Sequence, residues 1–196
     1  MRTQKRNPVR RLCILAGVAL LAAAAVVLAA WQWGIHASAQ RTEAYLHTIR
    51  TLIPEPQGAV LESRRDLSMP VLSLDGTDFV GILELPRHGS SLPICADWGD
   101  ISKYPCCFSG SIYDGSMRIG ATSQKGQYNF YRDISVGDDV FFTDMTGNRY
   151  AYKVSDLRYE KHADETAFGR KDAPLTLFVK NEYAFEYIIV FCDTAN

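Results

Sequence analysis

The chain has 196 residues, 47% of them hydrophobic and 22% charged, with a formal net charge of -1. Those values exclude a wholly disordered chain and fit one ordinary globular domain plus a short extra segment. The charge is unevenly placed. Residues 1–11 hold five positives (Arg2, Lys5, Arg6, Arg10, Arg11) and no acid, and residues 12–40 hold no Lys, Arg, Asp or Glu. The rest is mildly acidic, which disfavours a nucleic-acid partner because such partners require a basic face.

The pattern divides the chain into a basic cytoplasmic segment (1–11), a transmembrane signal anchor (12–33), a juxtamembrane helix and linker (34–77) and a β domain (78–196). The uncharged run LCILAGVALLAAAAVVLAAW, Leu12 to Trp31, would span about 30 Å as a helix, the depth of a hydrocarbon core. Its flanking positives predict a cytoplasmic N-terminus, and Trp31 and Trp33 suit the far headgroup layer. The chain is therefore expected to be a single-pass protein of the cell membrane, with its domain outside. Ala37-Ser38-Ala39 offers a rival reading as a signal-peptidase site, but the apolar run exceeds the roughly 7–15 residues of a signal-peptide core. Either reading exports the domain.

Ala39 to Ile53 reads as a short amphipathic helix, with Tyr45, Leu46, Ile49, Leu52 and Ile53 at helical spacing, ended by Pro54 and Pro56. Residues 54–77 read as an extended linker. Short strands are predicted at Phe79–Leu85, Leu92–Ala96, Gly110–Tyr113, Ser116–Thr122, Asp139–Thr143, Arg149–Leu157, Leu175–Val179 and Phe185–Cys192, and a helical turn or two at Asn129–Ile134. Eight strands at this spacing predict a mainly β barrel or sandwich.

Several segments together resemble the sortases. Phe79-Val80-Gly81-Ile82-Leu83-Glu84-Leu85-Pro86 with Leu92-Pro93-Ile94 is similar to their G-x-L-x-I-P…L-P-V opening. Val136-Gly137-Asp138-Asp139-Val140, Phe142-Thr143-Asp144, Gly147-Asn148 and Tyr150 to Val154 resemble the family hairpin VGD-x-V…FTD…GN-x-Y-x-Y-x-V. Leu175-Thr176-Leu177-Phe178 resembles the strand that delivers the catalytic cysteine, and Val190-Phe191-Cys192-Asp193 the V-R-C-D close of class B-like or class D-like members. The resemblance covers residues 10 to 194. It implies an eight-stranded sortase barrel in a Gram-positive cell wall. The family activity is cysteine transpeptidation: cleavage of an LPxTG-like sorting signal and its transfer to a cell-wall or pilin amine, with a His, a Cys and an Arg.

Carried over residue by residue, the resemblance places those three positions on Thr122, Lys180 and Tyr187. A thiolate attacks well and its thioester passes the acyl group on. A lysine ammonium has no lone pair for attack, and its free amine would end in a stable amide. Threonine cannot protonate a leaving amine as His does, and tyrosine brings a hydrogen bond but no charge to an oxyanion. The expectation is a pseudoenzyme without catalytic residues at these positions, binding or scaffolding a sorting-signal peptide, a pilin or an active sortase. The rival expectation is a divergent active sortase using other residues, for which Ser123 with His162 is one conceivable dyad.

The other reactive residue types add little. Cys106, Cys107 and Cys192 can form a disulfide in an exported domain, with connectivity open, and Cys106-Cys107 also allows a redox role. Cys95 lies on an earlier strand and Cys13 in the anchor. The histidines are His36, His47, His88 and His162, with no HxH or HxxxH pair, so neither a metal nor a cofactor is expected.

Overall fold

Strands with one apolar face must pack against another layer or close on themselves, and these close. In the computed structural model of the protein the described residues are 8–54, 68–101, 103–123, 133–162, 172–181 and 186–195, with side chains of the first helix described at 14–30 and 42–52. The elements are α1 (Pro8–Leu52), β1 (Leu72–Leu74), β2 (Thr77–Leu85), β3 (Ser90–Cys95), β4 (Cys106–Ser109), β5 (Met117–Thr122), β6 (Asp139–Asp144), β7 (Arg149–Glu160), β8 (Leu175–Asn181) and β9 (Glu186–Thr194). The chain forms two compact units, Met1–Ala39 and Gln40–Asn196.

The first unit holds the N-terminal part of α1. Its apolar side chains point into open space: Leu20 and Leu21 are both 73% exposed, and Val26 and Val27 both 68%. Among the described residues no helix is long and apolar enough to cross a membrane. The described side chains run only from Ile14 to Ala30, so the expected span of 12–33 extends past them at both ends, and Cys13, Trp31, Trp33 and His36 lie outside them.

The second unit is a barrel. Neighbouring strands run β2-β3-β4-β5-β8-β9-β7-β6, and a further pairing of β2 with β6 closes the ring. Eight strands therefore form the wall, as the sequence predicts, and β1 adds a short hairpin strand to the start of β2. Among the described residues only β3–β4 and β5–β8 are parallel. Alternate residues point inward and fill the barrel, among them Leu83, Ile94, Ile119, Phe142, Leu177 and Val190. Each such side chain is worth about 1.5–3 kcal/mol of burial.

Outside the wall two smaller clusters form. The last turns of α1 bring Leu46 and Ile49 against Phe79, Ile82, Cys95, Tyr104 and Cys106. The expected amphipathic helix is the end of α1 rather than a separate element, and Leu52, expected on its apolar face, is 56% exposed. On the far side, Ala173, Phe178, Ile189 and Phe191 cover the outer face of β8 and β9.

Two local expectations need correction, and a third lies mostly outside the described residues. The strand predicted at Gly110–Tyr113 sits earlier, at Cys106–Ser109. Gly110 at φ +74 and Gly115 at φ +67 bend the chain there, and Asp114 Oδ1 accepts from the backbone N–H of Ser111 (3.2 Å) and Ser116 (3.0 Å), so the segment is a turn. The linker contains β1 at its C-terminal end, and its residues 55–67 lie outside the described set. Of the turn expected at Asn129–Ile134, residues 129–132 lie outside it too, and Ile134 is buried.

Barrel closure depends on Gly81 and Asp144, which are register partners across β2 and β6. A Cβ on Gly81 would come within 2.4 Å of the Phe142 ring and 2.6 Å of the Thr143 carbonyl oxygen, so only glycine lets the strands meet. Asp144 is fully buried. Its Oδ1 accepts from the Thr146 N–H (2.9 Å), the Thr146 hydroxyl (2.7 Å) and the Asn148 N–H (2.9 Å). Its Oδ2 accepts from Tyr113 (3.0 Å), the Asn148 side-chain amide (3.0 Å) and Tyr150 (3.3 Å). Burial pushes this carboxyl's pKa up, but the hydrogen bonds from Thr146, Asn148 and Tyr113 outweigh it and hold the pKa below the usual value.

Asp144→Ala is expected to cost roughly 3 kcal/mol or more in urea unfolding, because it orphans several buried donors at once. The folded-state pKa is depressed, so the charged form's contribution is present above the unfolded pKa of about 3.9 and is lost as pH falls through the folded value. Asp144→Asn should therefore flatten the acid limb of the stability curve below about pH 4; an unchanged slope there would refute this role for the carboxylate.

Candidate functional site

The three positions singled out by resemblance lie on one line. In the β5–β8 register Thr122 opposes Lys180, and in the β8–β9 register Lys180 opposes Tyr187. Their strand neighbours Ala121, Val179 and Ile188 fill the barrel interior, so by alternation Thr122, Lys180 and Tyr187 share the outer face. Lys180 is exposed, and the other two are half-buried. The Ser123 N–H donates to the Lys180 carbonyl at 3.1 Å, which continues the pairing one step beyond β5. Tyr187 packs against the cluster of Ala173, Phe178, Ile189 and Phe191.

Beside this row lies an aromatic group that sequence reading missed. Trp98, from the connection between β3 and β4, meets Phe108 of β4 at 4.9 Å and Phe178 of β8 at 5.8 Å between ring centroids; Phe108 and Phe178 are 5.5 Å apart in an edge-on arrangement. Trp98 is 37% and Phe108 44% exposed, so the group presents apolar surface. The rings occupy the space above Gly120, two residues before Thr122. A Cβ there would stand 2.5 Å from both the Phe178 and the Trp98 ring. The only local sign of this was Gly120 inside a strand pattern. The contact itself joins residues 98, 108 and 178 and leaves no periodic signature.

The other candidates fall elsewhere. His88 Nε2 lies 3.2 Å from Asp138 Oδ2, and Asp138 also takes the Arg87 guanidinium and, at 2.9 Å, the Ser135 N–H. That cluster ties the corner after β2 to the turn before β6. Burial raises the Asp138 pKa, but Arg87, Ser135 and His88 outweigh it and leave the carboxyl below its usual range. His47 and His162 are exposed, the latter just past the end of β7. Among the described residues no three His, Cys, Asp or Glu side chains converge to hold a metal.

All four described cysteines are free thiols. Cys192 faces the barrel interior and Cys107 packs against that core, whereas Cys106 points into the layer beneath α1 with Cys95. Cys106 and Cys192 thus lie on opposite faces of the wall. Burial pushes the Cys107 and Cys192 thiols up, away from the reactive thiolate. A separate cavity of about 240 Å³ lies under the end of α1, lined by Arg50, Ile53, Pro54, Ile82, Glu84, Thr143 and Arg149. Glu84 is paired there with Arg50 (3.1 Å) and Arg149 (3.0 Å). It faces the β2–β6 seam, across the ring from β8.

No protein-family model matches this chain, and no curated protein matches it in sequence. Solved structures do match. Sortase A from Corynebacterium diphtheriae aligns with a TM-score of 0.52 at 15% identity, covering 83% of this chain and 82% of that one. A Clostridium perfringens sortase D5 transpeptidase aligns with a TM-score of 0.52 at 13% identity, covering 61% and 80%. Listeria monocytogenes sortase A gives 0.50 at 11%, covering 60% and 88%. The chain has the sortase-like fold.

Gly120→Ala should push Trp98 out of the aromatic group, since Trp98 is the more exposed of the two rings in its way. In a chain whose Trp31 and Trp33 are replaced by Phe, Trp98 emission is expected to shift to the red, with a loss of about 1–3 kcal/mol in stability from overpacking. Unchanged emission would show that the rings do not rest on the glycine.

Proposed function

We propose that this chain is a membrane-anchored, extracytoplasmic sortase-fold protein that does not catalyse acyl transfer and instead holds a surface-protein segment at the cell wall. The observation that carries this reading is the row Thr122–Lys180–Tyr187. These residues stand side by side across β5, β8 and β9, at the positions the family resemblance assigns to the His, Cys and Arg. That row offers no thiolate, no imidazole and no guanidinium, so it lacks a nucleophile with a good leaving group, a proton donor suited to an amine, and a fixed positive charge for an oxyanion.

What the row does offer is suited to binding. Lys180 is an exposed cation and Trp98, Phe108 and Phe178 form an apolar wall next to it. An extended peptide with an apolar side chain and a carboxylate matches that pair of features. A sorting-signal peptide, a pilin terminus or a segment of an active sortase fits the description. Membrane attachment through residues 12–33 is supported by the uncharged run, by the basic residues before it and by the outward apolar side chains of α1 from Ile14 to Leu28.

The deciding experiment incubates the full-length chain with a panel of LPxTG-like peptides and an amine acceptor and follows all species by mass spectrometry. Every peptide is expected to stay intact under conditions where an active sortase cleaves them. Cleavage, transfer or a covalent adduct would overturn the proposal, and the adducted residue would then define a different active site. In parallel, Lys180→Glu and Trp98→Ala are each expected to weaken binding of any retained peptide about tenfold, the scale of one desolvated contact. Binding unaffected by both substitutions would place the peptide elsewhere.

A further inference from the structure

The seam between β3 and β4 is the thinnest in the barrel. It consists of one register pair, and that pair is Cys95 opposite Cys106. Every other neighbouring pair in the ring shares at least three register partners. A backbone hydrogen bond from the Cys95 N–H to the Pro105 carbonyl (2.8 Å) holds the two strands together at this point. Directly opposed residues on adjacent strands have Cα atoms about 5 Å apart, inside the roughly 4.4–6.8 Å range that a disulfide spans.

Both side chains leave the barrel on the same face. They sit fully buried in the layer capped by Leu46, Ile49, Phe79 and Tyr104. The Cys106 thiol lies 3.3 Å from the Tyr104 carbonyl, and the Cys95 thiol 4.0 Å from Asp100 Oδ2. A hydrogen bond between the two sulfurs lowers the pKa of Cys95 against the opposing effect of burial, and raises that of Cys106.

We propose that Cys95 and Cys106 form a disulfide that staples β3 to β4 at their single bridge and closes the Ala96–Pro105 connection, which carries Trp98. The oxidant is a disulfide-bearing partner. One of the two cysteines, as its thiolate, attacks one of the oxidant's sulfurs and releases the first thiol. The other cysteine's sulfur then attacks that mixed disulfide and releases the second. The two cysteines lose two protons and two electrons, and the oxidant's disulfide is reduced to two thiols. Because both sulfurs are sealed from solvent in the folded domain, the bond forms while the domain folds. An exported domain would meet an oxidising compartment at that moment. The pair is independent of whether the row at Lys180 is catalytic.

The test refolds the full-length chain, reduced and unfolded beforehand, in mixtures of reduced and oxidised glutathione, with dithiothreitol as the control. The products are unfolded, alkylated and digested for mass spectrometry. A linked Cys95–Cys106 peptide two hydrogens lighter than its parts is expected, with Cys107 and Cys192 alkylated. The urea midpoint should exceed that of the dithiothreitol sample, and the difference should vanish in Cys95→Ala and in Cys106→Ala. Alkylation of both Cys95 and Cys106 at every glutathione ratio, or a link from either to Cys107 or Cys192, would overturn the pairing. A linked peptide with an unchanged midpoint would overturn the stapling role. Should the alanine variants fail to fold, the linked peptide and the midpoint of the parent chain still decide.

Discussion

Closure of the barrel at the β2–β6 seam is the constraint on which the rest of this domain depends. A sheet of eight strands has two edges, and each unpaired edge leaves backbone donors and acceptors to be satisfied elsewhere. Here the ring removes both edges by bringing β6 against β2, where Gly81 leaves room for Phe142 and the Thr143 carbonyl. Asp144 fixes the end of that seam. Its carboxylate gathers the Thr146–Asn148 turn, Tyr113 from the turn between β4 and β5, and Tyr150 from β7. A charge so deeply buried is tolerable only because its lone pairs are filled. The same logic applies at Asp138, which takes Arg87, His88 and the Ser135 N–H at the neighbouring corner.

These two carboxylates explain why the resemblance to sortases reads so clearly where the chemistry does not. The segments Val136-Gly137-Asp138 and Phe142-Thr143-Asp144 with Gly147-Asn148 are structural devices. One caps a turn at Gly137, φ +95, and the other ties a hairpin to the closing seam. They lie around β6, on the opposite side of the ring from β8. Substitution at Thr122, Lys180 or Tyr187, on the outer face of β5, β8 and β9, touches neither device. The barrel can therefore persist while the row changes its residues. This separation is why fold and activity have to be argued from different residues in this chain.

The strands were legible because short apolar runs bounded by turn residues are a local signal. In the structure Leu175 to Lys180 alternates between barrel interior and outer face residue by residue, and so does Tyr187 to Cys192, although the latter run is apolar throughout. The row was legible only through resemblance, since nothing in the local pattern relates residue 122 to residues 180 and 187. The register then places them side by side. What stayed hidden depended on contacts between distant elements. The strand at Cys106–Ser109 was displaced by an Asx turn around Asp114, whose side-chain bonds outweigh the propensity of Ile112 and Tyr113 for a strand. Trp98, Phe108 and Phe178 come from a connection and two strands far apart in sequence. Cys95 and Cys106 meet because a connection of ten residues returns the chain alongside β3 in parallel, a pairing that residue spacing alone does not specify.

The hidden features converge on one region of the wall. The connection that leaves β3 at Cys95 and returns as β4 at Cys106 carries Trp98, and Trp98 rests on Phe178 and over Gly120, immediately before the row. Trp98, one of the three rings of the aromatic wall beside Lys180, therefore sits on the connection that crosses the seam with the fewest register pairs in the ring. A binding surface needs its anchors pre-positioned, because each side chain ordered on binding subtracts from affinity. A seam of one register pair fixes such an anchor poorly unless something besides backbone pairing holds it. The layer of Leu46, Ile49, Phe79 and Tyr104 supplies part of that hold by burying both sulfurs, and a covalent bond between them would supply the rest. The end of α1 therefore covers both cysteines, and Trp98 lies on the connection that runs between them.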